Sequence, residues 1–379
     1  MKKLAIFLTD LGGGGAERVM VNLANEFARR EYEVDLLLVK KEGVYLSQLS
    51  SAVNLIDLGT RKLVLSVPKL VTYLRRDRPP TLLTALEDTN IIAILSNAIA
   101  KQLDAIARTR RPPTRLIITV HNNLSQESLD GENLKRRLVP KLLKWIYPFA
   151  DRIVAVSKGV AADLVSLGIH QRQVRVVYNP ILTPDFDALA SAALSPGRSF
   201  EKASEWFASD VPVVLGAGRL AAQKDFKTLI RAFALAKEQR SLRLVILGEG
   251  SEQTALEDLV RQLDLSEVVI FSGFVDNPLT YMSRADVCVL SSAWEGFGNV
   301  LVEAMGVGTP VVSTNCPSGP SEILAAGTYG RLAPVGHAAA LSKAILATLE
   351  SPLEGHLLKR RARDFSVETV VDEYEKLLE

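Results

Sequence analysis

The sequence predicts an α/β protein built from two doubly wound domains, each with a parallel sheet. Short apolar runs alternate with segments of helical period along the whole chain, the pattern of βα units. The length of 379 residues suits two domains rather than one. Hydrophobic residues at 47% and charged residues at 23% are typical of a globular protein. This composition excludes a disordered, collagen-like or coiled-coil chain.

The first half, residues 1–183, is predicted to be one domain. It opens with a strand, a glycine loop and a helix over about residues 16–30. The strands are predicted at Leu4–Leu8, Val34–Val39, Arg115–Val120, Asp151–Val156 and Val174–Val177. This half carries 27 Lys and Arg against 17 Asp and Glu, so it is expected to face an anionic surface or ligand. Two solvated faces of opposite charge are the alternative.

The pattern lapses over residues 184–210, which are rich in Pro, Ser and Gly and are interpreted as a linker with an insertion. A second βα series occupies residues 211–350, and residues 351–379 close the chain with a helix over Val367–Leu378. The second series comprises strands Val213–Ala217, Leu242–Leu247, Val268–Phe271, Asp286–Leu290 and Pro310–Ser313, and helices Phe226–Arg240 and Ser251–Leu263. Parallel sheets bind ligands beyond the carboxyl ends of their strands, so the site is expected there, in an interdomain cleft.

Glycines 12–15 join the first strand to the first helix. Such a loop allows close backbone approach, and the helix N-terminus favours an anion such as phosphate. Glu17 stands where a dinucleotide site would need Gly or Ala, and no Gly-Lys-Ser/Thr follows the glycines. A tight strand-to-helix turn is the alternative interpretation.

Two cations follow the first strand of the second half. Arg219 offers a planar fork to phosphate oxygens and Lys224 a point charge, so the pair suits a diphosphate. Solvated loop charges are the alternative.

Two carboxylates flank the next candidate anion site. Glu295 lies in the loop after the strand Asp286–Leu290, and Glu303 lies about one turn into the following helix, whose N-terminus points free N–H groups outward. Phosphates in the middle of a ligand and hydroxyls at both ends would fit this pattern, which favours a sugar nucleotide. An ordinary first-turn acid is the alternative for Glu303.

With seven residues between them, Glu295 and Glu303 resemble the E-x7-E motif of retaining GT-B glycosyltransferases of family 4. The resemblance covers nearly the whole chain. It extends over Gly12–Ala16, Val154–Ser157, Gly218–Lys224, Leu247–Gly250, Gly273–Phe274 and Phe365–Ser366. It implies two Rossmann-like domains, an acceptor-binding N-terminal one and a nucleotide-sugar-binding C-terminal one, with a final helix that crosses back.

The resemblance also implies roles for single residues. Arg219 and Lys224 clamp the donor diphosphate, and Glu303 takes the ribose hydroxyls. The remaining donor contacts come from four loops and one helix start: Gly14, Gly15, Gly248, Glu249, Phe274, Glu295, Gly296, Phe297, Gly298, Asn299 and Val300. His121 ends a strand and resembles the family histidine beside the reacting sugar, and a structural loop histidine is its alternative. Transfer with retention and without a metal or other cofactor is the implied chemistry.

The loop Asn315–Ile323 resembles a variant found in enzymes that use UDP-linked galactose or N-acetylhexosamines, which favours a UDP-sugar donor. The acceptor is expected to be a glycan or lipid-linked glycan of cell-envelope synthesis. A basic amphipathic segment over residues 134–146, with Trp145 at its edge, indicates contact with an anionic membrane, or else an ordinary surface helix. No nucleic-acid partner is expected.

The N-terminal apolar run is too short for a signal peptide, and no stretch approaches a membrane span, so a cytoplasmic protein, or one at the cytoplasmic membrane face, is expected. Two enzyme classes compete with the glycosyltransferase. One is a sugar-nucleotide epimerase of the same fold, and the other is an NADP-dependent oxidoreductase suggested by the glycine loop with Lys40 and Lys41.

Overall fold

The computed structural model describes residues 2–109, 112–130 and 142–378. The chain divides into two compact units. The first comprises Met1–Pro180 and Val367–Glu379, and the second comprises Ile181–Ser366. Each unit is described by itself.

Within the described residues, the first unit has a parallel sheet of seven strands in the order β3-β2-β1-β4-β5-β6-β7. The strands are β1 Lys3–Leu8, β2 Glu33–Leu38, β3 Asn54–Asp57, β4 Thr81–Ala85, β5 Arg115–Val120, β6 Arg152–Ala155 and β7 Val174–Val176. The α-helices are Gly15–Arg29, Val67–Arg76, Glu87–Ile106, Leu124–Asp130, Lys158–Ser166 and Val367–Leu378.

The second unit has a parallel sheet of six strands in the order β10-β9-β8-β11-β12-β13. The strands are β8 Val213–Ala217, β9 Arg243–Leu247, β10 Val269–Gly273, β11 Val287–Leu290, β12 Val311–Thr314 and β13 Arg331–Ala333. The α-helices are Phe186–Ser191, Phe200–Phe207, Phe226–Lys237, Gln253–Gln262, Leu279–Met282, Asn299–Val307, Pro320–Ile323, Ala338–Glu350 and Gly355–Ala362. The predicted fold class, two doubly wound α/β domains, is confirmed.

Both sheets are buried between helices, which explains why their strands are continuous apolar runs. In β4, Thr81 and Thr84 interrupt the apolar run even though all five residues are buried. Because of these polar residues, the hydrophobic pattern did not predict β4 as a strand. Residues 184–210 also carry two helices, Phe186–Ser191 and Phe200–Phe207, where the sequence suggested only a linker and insertion.

The strand order locates the candidate site within each unit. In the second sheet the chain builds β8, β9 and β10 in one direction and then starts β11 on the other side of β8. Adjacent loops diverge at such a switch point and leave a crevice beyond the carboxyl ends of the strands. The loops after β8 and β11 therefore face each other, and the first sheet has the same switch between β1 and β4.

The last helix, Val367–Leu378, packs in the first unit against the first helix, Gly15–Arg29. Arg30 holds it by hydrogen bonds of 2.6 Å to Asp372 Oδ1 and 2.9 Å to Glu375 Oε2, while Nε of Arg30 binds Glu26 Oε1 at 2.8 Å. Across the described ranges, no helix is both long enough and apolar enough to cross a membrane.

Candidate functional site

The loop after β8 places Arg219 and Lys224 in different surroundings. Arg219 is exposed, and among the described residues its guanidinium has no ion-pair or hydrogen-bond partner. The side chain of Lys224 is only 18% exposed, and its Nζ lies 2.5 Å from Glu295 Oε1. The structure therefore brings together two predicted site residues that are 71 positions apart.

The Lys224–Glu295 ion pair is held by the loop after β11. Ser292 Oγ donates a 2.6 Å hydrogen bond to the same Oε1, and Ser291 Oγ donates to the Lys224 carbonyl at 2.8 Å. The backbone N–H of Ala293 also donates to the Gln223 carbonyl. A buried ion pair needs such additional hydrogen bonds to offset its desolvation. The two loops thus form one rigid structure in which a cation and an anion are already matched.

The helix Asn299–Val307 begins beside this pair. Gly298 is its N-cap at φ 101°, a conformation that favours glycine, and no side chain of the described ranges caps the helix there. Glu303 is buried, at 5% exposure. The Phe297 ring is also buried and packs edge-to-face on Phe365 at a centroid distance of 5.4 Å, so the ring itself does not face a ligand. Gly296 and Gly298 lie in the loop before this helix, and Asn299 and Val300 lie in its first turn.

The loops after β8, β9 and β10 are joined by backbone hydrogen bonds, and glycines allow their backbones to approach closely. Gly248 lies at φ 119°, and a Cβ atom there would come within 2.0 Å of the Gly218 carbonyl oxygen. Its N–H donates to the Gly273 carbonyl at 2.8 Å, and the Leu220 N–H donates to the Glu249 carbonyl at 2.9 Å. The side chains of Glu249 and Phe274 project from this frame into solvent. The predicted donor contacts Gly248, Glu249 and Phe274 therefore all lie at one end of the second sheet.

In the first unit, the carboxylate of Glu17 lies beside the glycine loop. Gly14 is the N-cap of the helix Gly15–Arg29, and Glu17 folds back so that its Oε2 lies 2.2 Å from where a Gly14 Cβ would be. A glutamate three residues after an N-cap is the arrangement of a capping box. A phosphate at Gly14 and Gly15 would therefore meet the Glu17 carboxylate.

His121 follows β5 with its tautomer set by a chain of hydrogen bonds. Thr119 Oγ1 donates to the Thr84 carbonyl at 3.0 Å, which uses its hydrogen. His121 Nε2 lies 2.8 Å from Thr119 Oγ1. Because the hydroxyl hydrogen is already used, Nε2 must carry the hydrogen and donate it to Oγ1. Nδ1 is left as a bare acceptor, and it is buried without a hydrogen-bond partner among the residues that the structure describes. Burial lowers the pKa of His121 to about 4, so the ring is neutral at physiological pH. Its Nδ1 can accept one hydrogen bond from a hydroxyl group.

Three more polar side chains near His121 were not predicted. Asn90 donates to the Thr119 carbonyl at 2.9 Å, but its Oδ1 and the hydroxyl of Tyr147 are buried without hydrogen-bond partners in the described part of the chain. Burial, together with the charge of Glu127, raises the pKa of Glu87 to about 7. Glu87 and Asn90 follow β4, the strand that the apolar pattern missed, whereas Tyr147 lies just before β6. Strand recognition was therefore the missing signal for Glu87 and Asn90.

Part of the predicted membrane-facing segment lies outside the described residues, namely its basic residues Lys135, Arg136, Arg137 and Lys141 with Leu134, Leu138 and Pro140. The described part, residues 142–146, is helical. Trp145 is 70% exposed and Leu142 56% exposed, and the Lys144 ammonium lies 5.0 Å from the Trp145 ring centroid. Phe149, also 70% exposed, extends this apolar surface.

Comparison with known proteins decides the family. Residues 198–365 match the model of glycosyl transferases group 1, and residues 13–183 match that of glycosyltransferase family 4. An N-acetylgalactosaminyltransferase of Campylobacter jejuni that acts on a diphospho-undecaprenol-linked sugar is 30% identical over 376 residues, covering 96% of this chain and 94% of the relative. The chain belongs to the GT-B glycosyltransferases of family 4. A lipopolysaccharide core glycosyltransferase of Rhizobium meliloti, LpsE, is 28% identical and covers 96% of both chains.

The fold of this family 4 glycosyltransferase matches that of solved structures. HepE of Anabaena, solved in complex with UDP and glucose, superimposes with a TM-score of 0.79 at 19% identity, covering 100% of this chain and 99% of HepE. Of the enzyme classes considered from the sequence, the glycosyltransferase is confirmed. The epimerase and the oxidoreductase are not favoured.

Proposed function

We propose that this glycosyltransferase moves a hexose or N-acetylhexosamine from a UDP-sugar to a lipid-linked glycan during cell-envelope synthesis, with retention of anomeric configuration and without a metal. The observation that carries the proposal is the crevice between β8 and β11, where Arg219, the Lys224–Glu295 pair and the N-terminus of the helix Asn299–Val307 face the same ligand space. Two cations and a helix N-terminus suit a diphosphate with a carboxylate beside its sugar.

The arrangement supports charge stabilisation on the leaving group. As the bond between the sugar C1 and the phosphate oxygen breaks, negative charge grows on the diphosphate, and preorganised cations lower the energy of that state. Arg219 is open to bind the phosphate directly. Lys224 is held by Glu295, so it reaches the phosphate only by sharing its hydrogens between that carboxylate and the ligand.

The remaining steps concern the acceptor. Its hydroxyl oxygen forms the new bond to C1 on the face that the phosphate leaves, and its proton passes to a phosphate oxygen. His121 accepts a hydrogen bond from a sugar hydroxyl through the bare Nδ1. Glu303 is proposed to take the ribose hydroxyls. The lipid-linked acceptor rests on the Campylobacter relative, whose substrate carries a diphospho-undecaprenol.

The decisive experiment incubates the protein with single UDP- and GDP-sugars, EDTA and a synthetic polyprenyl-diphosphate N-acetylgalactosaminide. Mass spectrometry detects the extended product, and NMR gives the configuration of the new linkage. An α-linked product from one UDP-sugar in EDTA supports the proposal. Product from GDP-sugars alone, loss of activity in EDTA, or an inverted linkage would each contradict the corresponding part.

A peripheral contact with the cytoplasmic membrane face is the second part of the proposal. The exposed side chains of Leu142, Trp145 and Phe149 beside Lys144 combine apolar area with positive charge, as interfacial segments do. Co-sedimentation with vesicles of phosphatidylglycerol, compared with phosphatidylcholine, tests this contact. Binding that is equal for both lipids, or absent, would contradict it.

A further inference from the structure

The segment 195–199, which the sequence suggested was part of a linker, is fastened to the end of β10. Arg198 N–H donates to the Ser272 carbonyl at 2.8 Å, and Ser199 Oγ donates to the Phe271 carbonyl at 3.2 Å. Ser195 is held on both sides, because its N–H donates to Thr280 Oγ1 and its carbonyl accepts from the Tyr281 hydroxyl, each at 3.0 Å. This segment therefore belongs to the framework of the second unit.

Gly197 shows how closely the segment approaches the strand. A Cβ atom at this position would lie 2.8 Å from the Ser272 carbonyl oxygen and 3.0 Å from a methyl group of Val275. Only glycine fits that approach without displacing backbone. The position of the next residue, Arg198, is consequently fixed by its neighbours on both sides.

Arg198 extends from this segment toward the loop after β9. One of its guanidinium nitrogens lies 3.7 Å from Glu249 Oε1, and the two side chains remain 57% and 55% exposed. Gly273 lies between them, since a Cβ there would be 3.2 Å from Glu249 Oε1 and 3.7 Å from Arg198 Cβ. Phe274, 45% exposed, is the next residue. A hydrogen-bond donor and an acceptor thus lie side by side, and an exposed aromatic residue follows the glycine between them.

This combination matches a nucleobase better than any other part of a sugar nucleotide. Bases stack on aromatic rings and present hydrogen-bonding groups along one edge. The uracil edge has the carbonyl O4 next to N3–H, so an arginine and a carboxylate side by side complement it. Cytosine has the same size, but it carries an amino group and a bare nitrogen at those two places. In the same position, cytosine would place its amino group, a donor, against the donating arginine. It would also place its bare ring nitrogen, an acceptor, against the accepting carboxylate.

We propose that Arg198 and Glu249 together bind the edge of the donor base and select uracil over cytosine, with Arg198 donating to O4 and Glu249 accepting from N3–H. The inference rests on the proposed UDP-sugar function and adds a residue from outside the predicted site. The backbones of both residues are held by hydrogen bonds, Arg198 N–H to the Ser272 carbonyl and Leu220 N–H to the Glu249 carbonyl, so the two side chains start from fixed positions.

The test is calorimetric binding of UDP and CDP to the full chain. These ligands share ribose and diphosphate and differ only at the base edge. We expect the wild type to prefer UDP at least tenfold. Arg198→Ala and Glu249→Gln should each weaken UDP binding about tenfold while changing CDP binding less than threefold, and Arg198→Lys should restore part of the preference. Arg240→Ala, at an exposed cation of the same unit, is the matched control.

The outcomes separate this inference from the proposed function. If Arg198→Ala weakens UDP and CDP equally, Arg198 acts as a general charge and the inference is wrong. It is also wrong if Arg198→Ala leaves UDP binding within twofold of wild type, or if the wild type does not distinguish the two ligands. UDP binding that Arg219→Ala abolishes would in those cases still support the function. A wild type that binds neither ligand would contradict both.

Discussion

At the scale of single residues, Arg219 and Lys224 lie in the same loop after β8, but their electrostatic environments differ. Lys224 is paired with a buried carboxylate, whereas Arg219 faces solvent. The free energy of diphosphate binding should therefore depend mainly on Arg219.

We expect Arg219→Ala to weaken UDP binding by about 1.5–3 kcal/mol, the range for hydrogen bonds to a charged group. Isothermal titration calorimetry measures the change, and Arg240→Ala controls for the loss of one surface charge. An unchanged dissociation constant for UDP would remove Arg219 from the diphosphate site.

His121 should affect transfer and not nucleotide binding. Its free acceptor, Nδ1, lies in the first unit, whereas the diphosphate residues lie in the second. We expect His121→Ala to leave the UDP dissociation constant unchanged and to lower the transfer rate by about tenfold or more, the scale of one hydrogen bond to a reacting sugar. His356→Ala, at an exposed histidine, is the control. Equal losses of UDP binding in His121→Ala and Arg219→Ala would show that this role is wrong.

Glu87 makes stability depend on pH. Its folded-state pKa of about 7 lies above the ordinary value near 4.5, so the native state favours the protonated acid. The stabilising contribution is full below pH 4.5 and is lost as pH rises through 7. We expect Glu87→Gln to raise the free energy of unfolding by on the order of 2 kcal/mol at pH 8 and by little at pH 4.

Urea denaturation at both pH values measures this difference, with Asp88→Asn as the control at an exposed neighbouring acid. A Gln variant with the same stabilisation at pH 4 and pH 8 would contradict the pKa argument. A buried acid that costs stability at neutral pH is typical of functional sites.

At the scale of elements, the second-unit loops depend on backbone contacts that side chains would block. Gly248 has both a positive φ and a carbonyl oxygen in the space of its missing Cβ, whereas Gly336, at φ 70°, has open space around it. Alanine at Gly336 meets only the conformational cost. Alanine at Gly248 also has to push the Gly218 carbonyl away.

We expect Gly248→Ala to lower the free energy of unfolding by about 3 kcal/mol and Gly336→Ala by about 1 kcal/mol. Thermal and urea denaturation of both variants measure the difference, and UDP affinity should fall only in Gly248→Ala. Equal destabilisation would mean that the loops after β8 and β9 separate at little cost.

The elements also show what sequence patterns can predict. The strands β8, β9 and β11 were predicted because each contains an uninterrupted apolar run. β4 was missed because its threonines break the run, and Glu87 and Asn90 were missed with it. Arg198 was overlooked because Ser, Pro and Gly neighbours indicate a linker. The pairing of Lys224 with Glu295 depends on strand order, which joins residues 71 positions apart.

At the scale of the whole molecule, one arginine holds the last helix to the first. Arg30 binds Glu26, Asp372 and Glu375, and only 19% of its side chain is exposed. We expect Arg30→Ala to destabilise the first unit by about 2–4 kcal/mol, because it leaves buried charge with fewer partners. Hydrogen exchange should become faster in Val367–Leu378. Arg363→Ala is the control, and unchanged exchange would contradict this role.

The position of the final helix has a consequence for synthesis. Val370, Val371 and Tyr374 are buried in the first unit, whose other residues end at Pro180. Translation proceeds from the N-terminus, and a nascent domain cannot finish packing before its last element leaves the ribosome. The first unit therefore stays incompletely packed, with the surface under its terminal helix uncovered, while the whole second unit is synthesised. The unit whose synthesis begins first is the one completed last.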